Sequence, residues 1–228
     1  LQLVRHCAQL LGHWQPELEV TEASPFTLPS GLSCKTGNEY CRALVRWAMT
    51  ASGARIGWLG EFQLRGQDLW LIPRCVLEGE TFSAVKPMRM EIGPGREIFQ
   101  HGQSLYVEDL PLRYPQATQL LALNAKAYIG IPLQGQGGAP LGQIALLLDG
   151  PLADPIPLLD ALYEQRERAA IELQRLANDD ALRLAEVAFN THDGLLVMDH
   201  GGIILKVNDS FSRITGFASE EMLGQHIE

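Results

Sequence analysis

The chain has 228 residues, 46% of them hydrophobic and 20% charged, with a net charge of −9 and a pI near 5.2. Such a composition excludes a disordered or fibrous chain, and the length exceeds one ordinary domain of about 100–150 residues. The acidic balance and the lack of any Lys/Arg stripe exclude nucleic acid and anionic membranes as partners, because phosphate must be met by clustered cations. The longest apolar runs, such as Ile144 to Leu148, fall far short of the roughly 20 residues that span a bilayer. Residues 1–20 carry Arg5, His6 and Glu17, unlike a signal peptide, so the reading is cytoplasmic. The four cysteines, Cys7, Cys34, Cys41 and Cys75, form no CxxC pair and have no His at zinc-ligand spacing, and they read as buried or half-buried thiols. The first residue is Leu and the last segment has no terminator, which reads as a piece of a longer protein.

In chain order, residues 1–14 place Leu3, Cys7, Leu10, Leu11 and Trp14 on one helical face, and residues 15–37 read as a connector through Pro16, Pro25, Pro29 and Gly31. A helix follows from Asn38, which can cap it, with Tyr40, Leu44, Trp47 and Ala48 on one side and Gly53 closing the end. Next, "ARIGWLGEFQL" and "DLWLIPRCVL" alternate like two strands of a hairpin around Arg65-Gly66-Gln67. Pro73 inside the second strand demands an edge or a bulge, since proline cannot donate to a ladder. A helix "GREIFQHG", a strand "SLYVEDL", a loop with Pro111 and Pro115, and a helix over Gln116 to Asn124 come next. The hairpin "AYIGIPL"/"QIALLLD" turns through a Gly- and Gln-rich loop.

From Leu158 to Asn190 no Gly or Pro occurs, which at 1.5 Å per residue predicts a helix of roughly 50 Å. Leu159, Leu162, Arg166, Ala169, Leu173 and Leu176 step by three and four, the narrow seam of a two-helix contact. The first half is expected to cover its own sheet and the remainder to connect domains, pair with a second copy, or both.

This order of elements resembles the GAF domain of bacterial signalling proteins, most closely in "NAKAYIGIPLQGQGGAPLGQIALLLDG". There Tyr128, Gly130, Pro132, Leu133, Leu141 and Gly142 fill the family's strand–loop–LGxxxL pattern. Residues 193–225, "DGLLVMDHGGIILKVNDSFSRITGFASEEMLGQ", look like the first half of a PAS domain. Asn208 can cap the short helix holding Phe211 and Ile214, Gly216 can end it, and Ser219 can cap the next turn. The division is residues 1–35, an N-terminal helix and connector; 36–157, the GAF core; 158–190, the terminal and connector helix; and 191–228, the PAS half. The fold class is α+β, a GAF-like antiparallel sheet with helices on one face, a long connector helix, then a partial PAS-like segment. A PAS half with two strands is marginal alone.

No nucleotide-loop, zincin or nucleophile-elbow motif occurs, and the pairs Asp179-Asp180 and Glu220-Glu221 read as solvated helix charges. Six scattered histidines without an i, i+4 pair disfavour a metal, and no cofactor is assigned. The cyclic-nucleotide pattern, the Cys-His of bilin-binding relatives, and the cysteine spacing of GAF enzymes that reduce free methionine sulfoxide are all absent, and His101 reads as a solvated helix-end residue rather than a haem ligand. A ligand would lie on the sheet face away from the covering helices, lined by Trp58, Phe62, Cys75, Tyr106 and Tyr128. The competing reading makes each of these ordinary core. What the resemblance implies is a non-enzymatic sensory fragment, a homodimer through Leu159, Leu162, Ala169, Leu173 and Leu176, upstream of cyclic-di-GMP synthesis or hydrolysis. The alternatives are a ligand-free dimerisation module of a sensor histidine kinase and a redox-active GAF enzyme.

Overall fold

A computed structural model describes residues 28–84 and 86–227. The helix expected over 1–14 and most of the connector after it lie outside them. Helix α1 (Gly37–Ser52) buries Tyr40, Leu44, Trp47 and Ala48 as the periodicity predicts, and adds Cys41, Val45 and Met49. Its start differs from the expected Asn38 cap. Thr36 is the flanking residue, its side chain makes no cap bond, and the Gly37 N–H donates to the Glu172 carboxylate at 2.7 Å. A negative group supplied by another helix thus meets the positive end of α1.

Strands β1 (Ile56–Arg65) and β2 (Asp68–Glu78) pair antiparallel around Gly66 and Gln67. Leu59 faces Cys75 but Gly60 faces Pro73, so Arg74 is the extra residue of a bulge, the solution that Pro73 required. The short strands β3 (Thr81–Phe82) and β4 (Met88–Arg89) add to the outer edge of β2; two residues each are too few to show a period in sequence. Helix α2 (Pro94–His101) and strand β5 (Leu105–Val107) follow. The proline loop contains a helical turn, α3 (Leu110–Arg113), because Pro111 sits in the first turn, where no N–H is needed, and Asp109 accepts from the Leu112 N–H at 3.0 Å. The helix expected over 116–124 shrinks to α4 (Thr118–Ala122).

Strands β6 (Ala127–Gln134) and β7 (Pro140–Leu148) close the sheet, whose order is β3-β2-β1-β7-β6-β5 with β4 also on β2. Their loop reverses through Gly137 and Gly138, at φ 78° and 80°, a conformation that side chains resist. Close approach sets Gly142: a Cβ there would lie 2.1 Å from the Gly60 carbonyl and 2.8 Å from a Leu173 methyl.

Strand residues alternate between two cores. Leu59, Cys75, Leu77, Ile129, Ile131, Ile144 and Leu146 pack with α1 and the long helix α5 (Ile156–Phe189). Trp58, Leu71, Tyr128, Ala145 and Leu147 face the other way, onto Ile98 of α2, Leu110 of α3, Tyr114 and Ala117. The seam of α5 is used within the chain: Leu162, Ala169 and Leu173 are buried in the first core, and Leu159 and Leu176 are partly buried against it. The expectation that these five face a second chain is corrected for that reason; burying a leucine here contributes about 1.5–3 kcal/mol to this chain's own fold. Beyond Asp180 the helix has a different character, with residues 181–188 all exposed, among them Leu182, Leu184 and Val187. No helix among the described residues is long and apolar enough to cross a membrane.

After α5, β8 (Leu196–Met198) and β9 (Ile204–Val207) form a two-stranded sheet around the turn at Asp199–Gly202. Helices α6 (Asp209–Thr215) and α7 (Ser219–Met222) follow. Asn208 caps α6 as expected, accepting from the Phe211 N–H at 2.8 Å. Its Oδ1 also accepts from the Leu195 N–H at 2.9 Å, and its Nδ2 donates to the carbonyls of Phe189 and Asp193, both at 2.8 Å. One buried side chain thereby joins the end of α5 to β8 and α6. Ser219 is not the cap of α7: Ala218 flanks it, and the Glu221 carboxylate accepts from the Ala218 N–H at 3.0 Å.

Candidate functional site

On the face of the sheet away from α1 and α5, a cavity of about 270 Å³ opens between the strands and the segment 88–95, with Ala117, Leu120 and Leu123 closing another side. Segment 88–95 is held by β4 on β2 and by the Met90 N–H donating to the Leu69 carbonyl at 2.8 Å. The floor is Trp58 of β1, Tyr128 of β6 and Gln143 of β7. Their register partners place all three on one face: Trp58 opposes Ala145, and Pro132 opposes Gln143, two pairs along from Gly130 and Ala145. Met88, Met90, Ile92 and Pro94 supply apolar wall.

The floor carries the polar chemistry. Tyr128 donates its hydroxyl to Gln143 Oε1 at 3.1 Å, and both side chains are fully buried. Burial raises the Tyr128 phenol far above its ordinary value, so it stays protonated and donating. Gln143 Nε2 and Trp58 Nε1 are buried with no hydrogen-bond partner. A buried donor left unmade costs about 1–3 kcal/mol, so two of them on residues that line one cavity is a feature that demands a partner. The N-terminus of α2, at Gly93–Gly95, also reaches the cavity; a Cβ on Gly95 would meet Gln143 Nε2 at 3.1 Å and a Met90 methyl at 2.1 Å.

Of the five residues expected to line a pocket, the structure brings together two, Trp58 and Tyr128. Phe62 is on the same face but packs edge-on against Phe99, with ring centroids 5.3 Å apart, outside the cavity. Cys75 is corrected: the bulge at Arg74 reverses the side-chain alternation of β2, turning Cys75 and Leu77 towards the helices while Leu71 faces the cavity side. Tyr106 is corrected too. It pairs with Ile129, points to the α1/α5 side, and its hydroxyl accepts from the Leu152 N–H at 2.7 Å, bracing the chain just before α5. Gln143 was missed, although a lone amide amid "IALLL" at an inward-facing parity was the available signal.

On the helix side, Cys41 and Cys75 lie in one core, and burial pushes both thiols up to about 12. Among the described residues no group of His, Cys, Asp and Glu is arranged to hold a metal ion. At the bulge, Arg74 donates to Glu61 at 2.9 Å and also to Asp180 of α5, joining the sheet to the helix at the end of its buried half. Burial raises the Glu61 carboxyl above its ordinary value, against the opposing pull of Arg74.

Residues 182–228 match the family model described as the PAS fold. No curated protein matches the chain. Among solved structures, the GAF domain of a phosphoenolpyruvate-protein phosphotransferase from Acinetobacter is 10% identical with a TM-score of 0.51, over 64% of this chain and 88% of that one. The corresponding domain from Coxiella burnetii is 14% identical with a TM-score of 0.50, over 66% and 90%. A free methionine-R-sulfoxide reductase from Neisseria meningitidis, solved with its substrate, is 12% identical with a TM-score of 0.50, over 66% and 86%. At such identities the likeness is one of fold, and the fold is shared by GAF domains of phosphotransferases and by a reductase. The chain carries a GAF fold followed by a segment that matches the PAS fold, the order of domains that its sequence resembles.

Proposed function

We propose that this chain is a sensory unit in which a small molecule occupies the cavity over Trp58, Tyr128 and Gln143 and biases the long helix that leads to the PAS segment. The carrying observation is that the cavity and the helix share strands. Gln143 sits in the floor, its neighbour Gly142 touches Leu173 of α5, and β7 runs into α5 through the segment that Tyr106 braces. A ligand that binds one arrangement of this assembly better than another shifts it by that difference in affinity and no more. The resemblance to the front ends of cyclic-di-GMP enzymes supports cyclic-di-GMP synthesis or hydrolysis as the output. The exposed Leu182, Leu184 and Val187 support a homodimer through the second half of α5 rather than the first.

The redox alternative is weakened at Cys41 and Cys75, whose thiols burial pushes up to about 12 inside a core, away from ionisation and from substrate; Cys34, expected buried or half-buried, is instead exposed. The test is native mass spectrometry of the chain after exposure to a metabolite extract. A stoichiometric small molecule retained by the natural chain and lost with Trp58→Ala supports the reading. An empty protein under every extract tried overturns it.

A further inference from the structure

The two unpartnered donors say what kind of molecule the cavity accepts. Trp58 Nε1 and Gln143 Nε2 can only donate, and both belong to side chains almost wholly shielded from solvent, 3% and 0% exposed. With the Tyr128 hydroxyl donating to Gln143 Oε1, the amide Nε2 is the group left for the cavity. The N-terminal turn of α2 adds a further partial positive field from Gly93–Gly95. Both unpartnered donors of the floor therefore ask for an acceptor.

Charge is the second criterion. The one cation lining the cavity among the described residues is Arg89, whose guanidinium is engaged by Asp68 at 2.7 Å, and Glu91 lies beside it. A carboxylate or phosphate entering here would lose its water and would have to share Arg89 with Asp68 beside the repelling Glu91, a cost that two neutral N–H donors do not offset. The walls are Met88, Met90, Ile92, Leu120 and Leu123, which suit an apolar body and, through the flexible methionines, tolerate its shape.

We propose that the cavity binds an uncharged, largely apolar small molecule through a single oxygen acceptor of the carbonyl type, which takes the N–H of Trp58 and of Gln143. This rests on the sensory-pocket reading and sharpens it to a ligand class. The acceptor is the specificity element: a site with buried donors rejects an analogue that lacks the acceptor far more strongly than a hydrophobic wall rejects a change in shape.

The experiment compares three probes of similar size on the intact chain by calorimetric titration: acetophenone, which has the neutral acceptor; ethylbenzene, which lacks it; and benzoate, whose acceptor is charged. The expected result is acetophenone at least about tenfold tighter than ethylbenzene, with benzoate weakest. The preference over ethylbenzene should fall towards unity in Trp58→Phe and in Gln143→Met. An independent readout needs only a folded natural chain. The Trp58 indole N–H resonance should move downfield with acetophenone and not with ethylbenzene, and Trp58→Phe serves to assign it. Equal binding of acetophenone and ethylbenzene, or benzoate tightest, overturns the ligand class while leaving a ligand pocket in place. No binding of any probe, with the indole resonance unmoved, overturns the class and the pocket reading together.

Discussion

Replacing Leu173 by alanine separates a helix that covers its own domain from one that covers a partner. Leu173 is 1% exposed, in a core with Leu158, Leu162 and Ile144, and one of its methyl groups lies 2.8 Å from where a Cβ of Gly142 would be. Deleting a fully buried leucine from a packed site costs about 2–5 kcal/mol, and the rigid strand beneath Leu173 allows little collapse, so about 3 kcal/mol is expected. For a domain of this size that is a drop in melting temperature of roughly 6–12 °C. Leu184→Ala, at a position 70% exposed, should change stability by less than about 0.5 kcal/mol. Thermal denaturation followed by circular dichroism, at a low and a high protein concentration, reads both. Burial within one chain makes the Leu173→Ala loss independent of concentration, whereas burial in a dimer makes it grow with the population of dimer. A loss that vanishes on dilution, or a Leu184→Ala cost as large as that of Leu173→Ala, would refute the placement of the seam.

Gly142→Ala should prevent the native sheet from forming at full stability, since its Cβ would sit 2.1 Å from the Gly60 carbonyl; a loss above about 3 kcal/mol in urea denaturation is expected. In a Cys7→Ser/Cys34→Ser background, Cys41 and Cys75 should stay silent to a thiol reagent at neutral pH and react fully once the chain is unfolded, because burial pushes both up to about 12. Glu61 has a raised folded-state carboxyl, so the folded state holds its proton more tightly than the unfolded one does. Its ionisation therefore lowers stability at neutral pH, and the deficit fades as pH falls through the raised value towards the ordinary one. Glu61→Gln, which keeps an acceptor for Arg74, should match or exceed the natural chain in stability at pH 7 and lose that advantage in acid, as read by urea denaturation across pH. Asn208→Ala removes four hydrogen bonds of one buried side chain and should cost about 2 kcal/mol or more in the PAS segment, seen as faster amide exchange at Leu195 and Phe211 with the GAF core unchanged.

The helices and the main strands were legible because each repeats a period over enough residues. Tyr40, Leu44 and Trp47 mark α1, the glycine-free run marks α5, and Pro73 forecasts a bulge. The site was half legible for the same reason inverted. A single inserted residue at Arg74 reverses which side of β2 faces the cavity, so Cys75 could not be placed by counting. Strands β3 and β4 are too short to carry a period, yet β4 holds the wall that makes the cavity. The seam of α5 looked like a dimer contact because a stripe of Leu and Ala at three- and four-residue steps is equally good against a helix or against a sheet. The choice lies in Gly142, whose missing side chain lets Leu173 settle on the strand.

Two anchors on α5 limit how a change in the sheet can travel along it. Arg74 fixes Asp180 to the bulge between β1 and β2, and Asn208 fixes the carbonyl of Phe189 to the PAS segment. The residues between them, 181–188, are exposed on every side. A stretch of eight residues, about 12 Å long, is too short to be a stable helix in water by itself, so its continuity is set by the two ends and by whatever covers Leu182, Leu184 and Val187. Displacing β1 or β2 changes the distance or rotation imposed at the Arg74 end while Asn208 holds the other, and an uncovered helix of that length answers by rotating or by fraying. A covered one can answer only by rotating. The exposed leucines thereby decide whether this segment transmits a turn of the helix or loses it.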